Sequence, residues 1–121
     1  YLVEGKPGFV AHEWASIEQA LTWIHGAGGV AVLAHPGRYP HDETSERELV
    51  AEFVGLGGRA IEVITGAHSK KQIRHYAQMC VDLNLHASTG SDFHGVGESK
   101  MDIGRAPNLS AGLKPVQQLW A

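Results

Sequence analysis

Short apolar runs alternate with stretches of helical periodicity along this chain. Residues 29–34, Gly-Val-Ala-Val-Leu-Ala, form one continuous apolar run, the pattern of a strand buried on both faces. Ala60 to Ile64 reads as a second strand. Leu85 to Thr89 reads as a third, its apolar character diluted by His86 and Ser88. Helices fit between them. Ser16-Ile17-Glu18-Gln19 has capping-box spacing, and Ile17, Ala20, Leu21 and Ile24 then share one helical face before Gly26, Gly28 and Gly29. Ser45-Glu46-Arg47-Glu48 is a second box, leading into Leu49, Val50, Phe53 and Val54 and ended by Gly55, Gly57 and Gly58. Ser69-Lys70-Lys71-Gln72 is a third, leading into Ile73, Ala77, Cys80 and Val81. Strand starts near 30, 60 and 85 are spaced for βαβ crossovers, so the predicted fold is α/β with parallel strands alternating with helices. Glycine and proline punctuate residues 95–121, where a short strand is expected near Met101 to Arg105 and a helical turn after Pro115.

Composition narrows the class. At 121 residues, with 43% hydrophobic and 19% charged, the chain has the make-up of one globular domain. Ten Lys and Arg against thirteen Asp and Glu leave a formal charge of −3, which excludes a broad basic groove for duplex DNA. A local anion site stays open, because a bound metal supplies positive charge that no residue count shows. No run approaches the roughly 18–20 apolar residues of a membrane span. Cys80 is the single cysteine, so a reducing, cytoplasmic setting is expected. Tyr1 stands where a translation product begins with Met, so a processed or excised piece is expected.

Chemistry gathers at the strand ends. In a parallel α/β sheet the C-terminal ends lie on one edge, where ligands bind. The first strand runs into His35-Pro36-Gly37-Arg38, the second through Glu62 to Thr65-Gly66-Ala67-His68, and the third into Gly90-Ser91-Asp92-Phe93-His94. An extended backbone would put Asp92 and His94 on the same side, and Pro36 biases His35 toward an extended conformation. A carboxylate among imidazoles suits Mn, Fe or Zn. Taken singly, a His-Pro pair is a turn and Asp-x-His is ordinary surface. On successive strand ends, His35, Asp92 and His94 make a candidate metal site. Arg38 is either a phosphate contact or a solvated loop cation. His68 is a contact for an anion, a proton donor to a leaving group, or a simple loop residue. Glu62 is either a hydrogen-bond acceptor behind a metal ligand or a carboxylate paired with Arg59 or a lysine.

The remaining candidates carry less. His25 and His75 fall on exposed helical positions, His86 lies at the end of its strand opposite the site, His41 sits in a polar loop, and His12 precedes the first helix. Trp14, Trp23 and Trp120 are read as packing residues. Lys70 and Lys71 occupy the first turn of a helix against the dipole preference, as two solvated lysines or as neighbours of an anion. No phosphate-binding Gly-x-x-x-x-Gly-Lys-Ser/Thr loop, Cys-x-x-Cys pair or Gly-x-Ser-x-Gly elbow is present. Cys80, on an apolar helix face, is a poor nucleophile.

Val30-Ala31-Val32-Leu33-Ala34-His35-Pro36-Gly37-Arg38, followed by Gly90-Ser91-Asp92-Phe93-His94, resembles the later motifs of the PHP (polymerase and histidinol phosphatase) superfamily. Its TrpH-like branch, with exoribonucleases of the RNase AM type and 3′,5′-nucleoside bisphosphate phosphatases, is the nearest in pattern. Gly5-Lys6-Pro7-Gly8-Phe9-Val10, Trp14, Ile61-Glu62-Val63 and His68 extend the similarity over nearly the whole chain. The resemblance implies a distorted (β/α)7 TIM-like barrel with up to three divalent ions, Mn foremost and Zn, Fe or Mg as alternatives. It implies hydrolysis of phosphate esters of nucleotides or RNA 5′ ends by a metal-activated water. His35, Asp92 and His94 then become metal ligands, and Arg38 and His68 phosphate contacts. Histidinol phosphate or another small phosphomonoester is the alternative substrate, and a non-catalytic structural PHP domain the alternative role. The family's opening His-x-His pair is absent. Residues 1–121 are therefore expected to be the C-terminal part of one PHP domain, lacking the N-terminal portion that completes the site. Alone, such a piece is expected to bind metal weakly, to form homo-oligomers through open sheet edges, or to show no catalysis.

Overall fold

The computed structural model describes residues 16–39, 42–95 and 108–120. The expected strand near Met101 to Arg105 lies outside the described residues, as do Gly5–Val10, His12, Trp14 and His41. Helix α1 (Ile17–Gly26) starts at the Ser16 box: Gln19 N–H donates to Ser16 Oγ at 3.1 Å, and Ser16 N–H donates to Gln19 Oε1 at 3.0 Å. Strand β1 keeps only Val32–Leu33 of the 29–34 run. A 3₁₀ turn, Pro36–Arg38, follows it. Helix α2 (Glu43–Gly55) begins a turn earlier than the Ser45 box predicts. Asp42 is its cap, with Oδ1 accepting the Ser45 N–H at 2.7 Å, so Ser45 becomes the third helical residue. The carboxylates of Glu43 and Glu46 also suit the dipole there.

Strand β2 (Ala60–Ile64), helix α3 (Lys70–Leu83) and strand β3 (His86–Thr89) follow, with a 3₁₀ turn at Val116–Trp120 after Pro115. The sheet is parallel in the order β1-β2-β3, pairing Val32 with Ala60 and Ala60 with His86. An irregularity between Glu62 and Ile64 shifts the β2–β3 register just where the strands reach the functional edge. Beyond β3, Ala87 N–H donates to the Lys114 carbonyl at 2.8 Å, covering part of that outer edge.

Two apolar clusters meet at Leu33. Ile61, Val63, Ile64, Tyr76, Cys80, Leu85 and Ala87 pack α3 onto β2 and β3, while Leu21, Ala31 and Phe53 join α1, α2 and the approach to β1. Gly58 has no substitute here, because a Cβ would lie 2.4 Å from the Phe53 ring. Trp23 and Trp120 correct the packing expectation: they are 64% and 60% exposed, off the buried faces of their helices. Among the described residues no helix is long and apolar enough to cross a membrane.

Cys80 is 1% exposed, and burial pushes its thiol up to about 11. The folded chain is expected to resist thiol reagents that label the denatured chain rapidly. Above the ordinary value of 9.0 the unfolded thiol ionises while the folded one stays protonated. This contribution to stability is therefore complete below pH 9 and lost as pH rises toward 11. Denaturant titrations at pH 8 and 10.5 on the native chain and Cys80→Ala check the sign, and a variant that loses as much stability as the native chain would refute it.

Candidate functional site

Leu33, Ile64 and Thr89 end the three strands on one edge, and the chain leaves each through a polar turn. The first turn is the most heavily anchored. His35 adopts φ 27° and ψ 60°, not the extended conformation that Pro36 favours. Tertiary hydrogen bonds hold it there. Glu62 Oε1 accepts the His35 N–H at 2.8 Å, and the Arg38 N–H closes onto the His35 carbonyl at 3.0 Å. Gly37 N–H donates to His68 Nε2 at 2.9 Å, while Gln72 Nε2 donates to the Gly37 carbonyl at 2.9 Å. A Cβ on Gly37 would meet Gln72 Nε2 at 2.8 Å and His68 Cδ2 at 2.9 Å, so only glycine fits between them.

Asp92 also departs from the sequence expectation. Its φ is 56°, so the Asp92–His94 segment is a turn and not an extended strand end. The pair still meets, with His94 Nδ1 at 3.5 Å from Asp92 Oδ1 and at 2.7 Å from the Asp92 carbonyl oxygen. Arg38 reaches the same carboxylate, Nη1 to Oδ2 at 3.8 Å, and so ties the first turn to the third. Both expected metal ligands with left-handed backbone, His35 and Asp92, are non-glycine residues, a conformation that concentrates at functional sites.

Glu62 takes the role of acceptor behind His35 rather than pairing with Arg59, and its carboxylate lies against Gly90 as well. His68 differs from its expected place on a ligand. Its Nε2 accepts from Gly37, so Nδ1 carries the proton and donates to the Val63 carbonyl at 2.9 Å. With both nitrogens committed and its ring stacked on Tyr76, centroids 4.9 Å apart, it holds the turn. Gln72 and Glu46 were legible in the sequence only as members of capping boxes. Gln72 does cap Ser69, through Oε1 at 2.8 Å, but an amide, unlike a carboxylate, has an N–H left over for Gly37. Glu46 is 6% exposed, accepts the Tyr76 hydroxyl hydrogen bond, and takes another from His75 Nε2 at 2.8 Å.

Among the described residues no three His, Cys, Asp or Glu side chains stand close enough to hold a metal ion by themselves. One atom fits a ligand role nonetheless. His35 Nδ1 is buried with no hydrogen-bond partner, unlike every other buried side-chain nitrogen or oxygen among the described residues. An imidazole nitrogen without a hydrogen-bond partner has the chemistry of a ligand to a divalent cation.

No family model matches the chain. Individual proteins do. A 3′,5′-nucleoside bisphosphate phosphatase of Chromobacterium violaceum is 46% identical over 116 residues, 96% of this chain and 41% of that protein. The 5′-3′ exoribonuclease Rnm of Escherichia coli is 42% identical over 120 residues, 99% of this chain and 41% of that protein. These relatives fit the PHP superfamily. A solved amidohydrolase of C. violaceum, with bound sulfate and no metal, superposes with a TM-score of 0.83 at 44% identity over 98% of this chain and 41% of that one. A Bifidobacterium adolescentis structure at 20% identity shares the fold, with a TM-score of 0.70. This chain thus spans about two-fifths of the length of the curated relatives it matches, and its parallel α/β unit is consistent with part of a TIM-like barrel.

Proposed function

We propose that this chain is the C-terminal part of a PHP domain that hydrolyses phosphate esters of nucleotides or RNA 5′ ends with divalent metal ions, Mn foremost. The buried, unpartnered Nδ1 of His35 carries the reading, because it sits beside a turn that Arg38 ties to Asp92 and His94. His35, Asp92 and His94 would hold metal, with the remaining ligands contributed by a His-x-His portion outside this sequence. Metal bound there supplies an activated water and neutralises phosphoryl charge.

The chain's own residues do the rest. Glu62 fixes the His35 backbone, and His68 and Gln72 fix Gly37, so the turn is set before substrate arrives. Arg38, with a side chain 57% exposed, is available to pair its guanidinium with a phosphoryl oxygen while Asp92 steadies it. His68, neutral with its proton on Nδ1, acts through the turn and not on the ester. The names of the two relatives support a nucleotide or an RNA end as substrate.

The full-length protein carrying this chain, loaded with Mn, is expected to release phosphate from a 3′,5′-nucleoside bisphosphate, or mononucleotides from 5′-phosphorylated RNA. Absence of both products with Mn, Zn and Fe alike would overturn the reading.

A further inference from the structure

Two buried side chains hold neither metal nor phosphate in the proposed reaction, yet both stand behind its first turn. Glu46 on α2 is 6% exposed and Tyr76 on α3 is 2% exposed. The Tyr76 hydroxyl donates to Glu46 Oε1. His75 Nε2 donates to the other carboxylate oxygen at 2.8 Å, and the His75 ring stands edge-on to Tyr76, centroids 4.8 Å apart at 69°. The Tyr76 ring is thus pinned at its hydroxyl and propped along its edge.

Its flat side lies along His68, centroids 4.9 Å apart and planes 23° from parallel. His68 needs that support. An imidazole donates and accepts in the plane of its own ring. The bonds of His68 to the Val63 carbonyl and from the Gly37 N–H, each 2.9 Å, therefore oppose sliding of the ring but not tilting about the line between the two partners. A ring stacked on one face opposes the tilt. The turn follows His68 closely, since a Cβ on Gly37 would lie 2.9 Å from His68 Cδ2. Arg38 N–H in turn closes onto the His35 carbonyl, so a shift of Gly37 moves both residues that flank it.

We propose that Tyr76, pinned by Glu46, is a positioning residue for the reaction, holding His68 against tilt and thereby setting His35 and Arg38 through Gly37. The proposal rests on the phosphoesterase reading and deepens it, because a buried contact between two helices becomes part of what fixes the site.

The test compares three variants of the full-length protein. Tyr76→Met removes the ring, and Tyr76→Phe keeps the ring but loses its bond to Glu46. Cys80→Ala loosens the same apolar cluster beside the His86 carbonyl. With Mn bound and every variant folded, kcat for a 3′,5′-nucleoside bisphosphate is expected to fall roughly ten- to hundredfold in Tyr76→Met at unchanged KM, the scale of a misplaced reacting group. Tyr76→Phe should fall between Tyr76→Met and the native protein, and Cys80→Ala should keep the native kcat. In the metal-free protein, hydrogen exchange at the Gly37 amide should quicken in the same order. A native kcat in Tyr76→Met overturns the proposal. So does a Tyr76→Phe as slow as Tyr76→Met, or an equal loss in Cys80→Ala, which would make the effect one of general stability. If Tyr76→Met does not fold, Tyr76→Phe decides: Gly37 exchange faster than in Cys80→Ala supports the brace, and equal exchange overturns it. If the unsubstituted protein releases no phosphate, the phosphoesterase reading fails by itself, and the brace is judged by Gly37 exchange alone. Exchange quickened in Tyr76→Met and not in Cys80→Ala supports the brace; native exchange in Tyr76→Met overturns it.

Discussion

Asp92→Asn is expected to lower the metal content of the full-length protein and to slow phosphate release on the order of a thousandfold, the worth of several kcal/mol of transition-state stabilisation. The substitution removes a charge and little else. Asn tolerates the left-handed backbone at φ 56°, where Ala would add strain of its own. Its amide keeps the size of the carboxylate beside Arg38, at 3.8 Å, and His94, at 3.5 Å. Metal analysis alongside the rate separates lost binding from lost folding, and circular dichroism checks that the fold persists. Normal metal content and normal rate in Asp92→Asn would remove Asp92 from the site.

Glu46→Ala is expected to cost about 2–3 kcal/mol of stability, the upper range for hydrogen bonds to a charged group, because it strands a buried hydroxyl. Tyr76 is 2% exposed and hydrogen-bonds Glu46 across α2 and α3, while His75 binds the other carboxylate oxygen at 2.8 Å. Burial first, then the hydrogen bond to Glu46 and its charge, push the Tyr76 hydroxyl far above its ordinary value of 10.0. That contribution to stability is whole below pH 10 and declines above it, where the unfolded phenol ionises. Urea titration reads the cost directly, and Glu46→Ala should show a shallower alkaline decline. A change within about 0.5 kcal/mol, the range of ordinary surface substitutions, would refute the role given to Glu46. Tyr76 also supports the His68 ring, so this buried contact stands behind the turn that presents His35.

The helices around Ser16 and Ser69 were legible because their caps are local: the interacting groups are three residues apart and need no partner from elsewhere. The α2 start was misplaced by a turn for a related reason. Asp42 and Ser45 are both good caps, and sequence spacing does not say which one the backbone uses. Ala60–Ile64 was legible as a strand, and the structure buries four of its five residues. The continuous apolar run at 29–34, read as a strand buried on both faces, overstated β1, where only Val32 and Leu33 find ladder partners on β2 and both are half-buried.

The site divides along the same line. Which residues stand at the strand ends follows from chain order and parallel topology, so His35, Arg38, Asp92 and His94 could be named from the sequence. How they are held could not. The left-handed backbones at His35 and Asp92 run against local preference, and contacts 27 to 35 residues away in sequence, from Glu62, His68 and Gln72, impose the first of them. His68 shows the difference most clearly. Its position on the rim was readable, but its commitment to Gly37 and Val63 exists only once α3 and β2 have packed.

By itself, then, the sequence determined the order of elements and the chemistry delivered to one edge, because periodicity, caps and parallel crossovers act over short range. Tertiary structure alone decided which imidazole keeps an unpartnered nitrogen, which one braces a turn, and that Glu46 is buried. Those outcomes depend on long-range hydrogen bonds and on desolvation, and neither is written in the spacing of neighbouring residues.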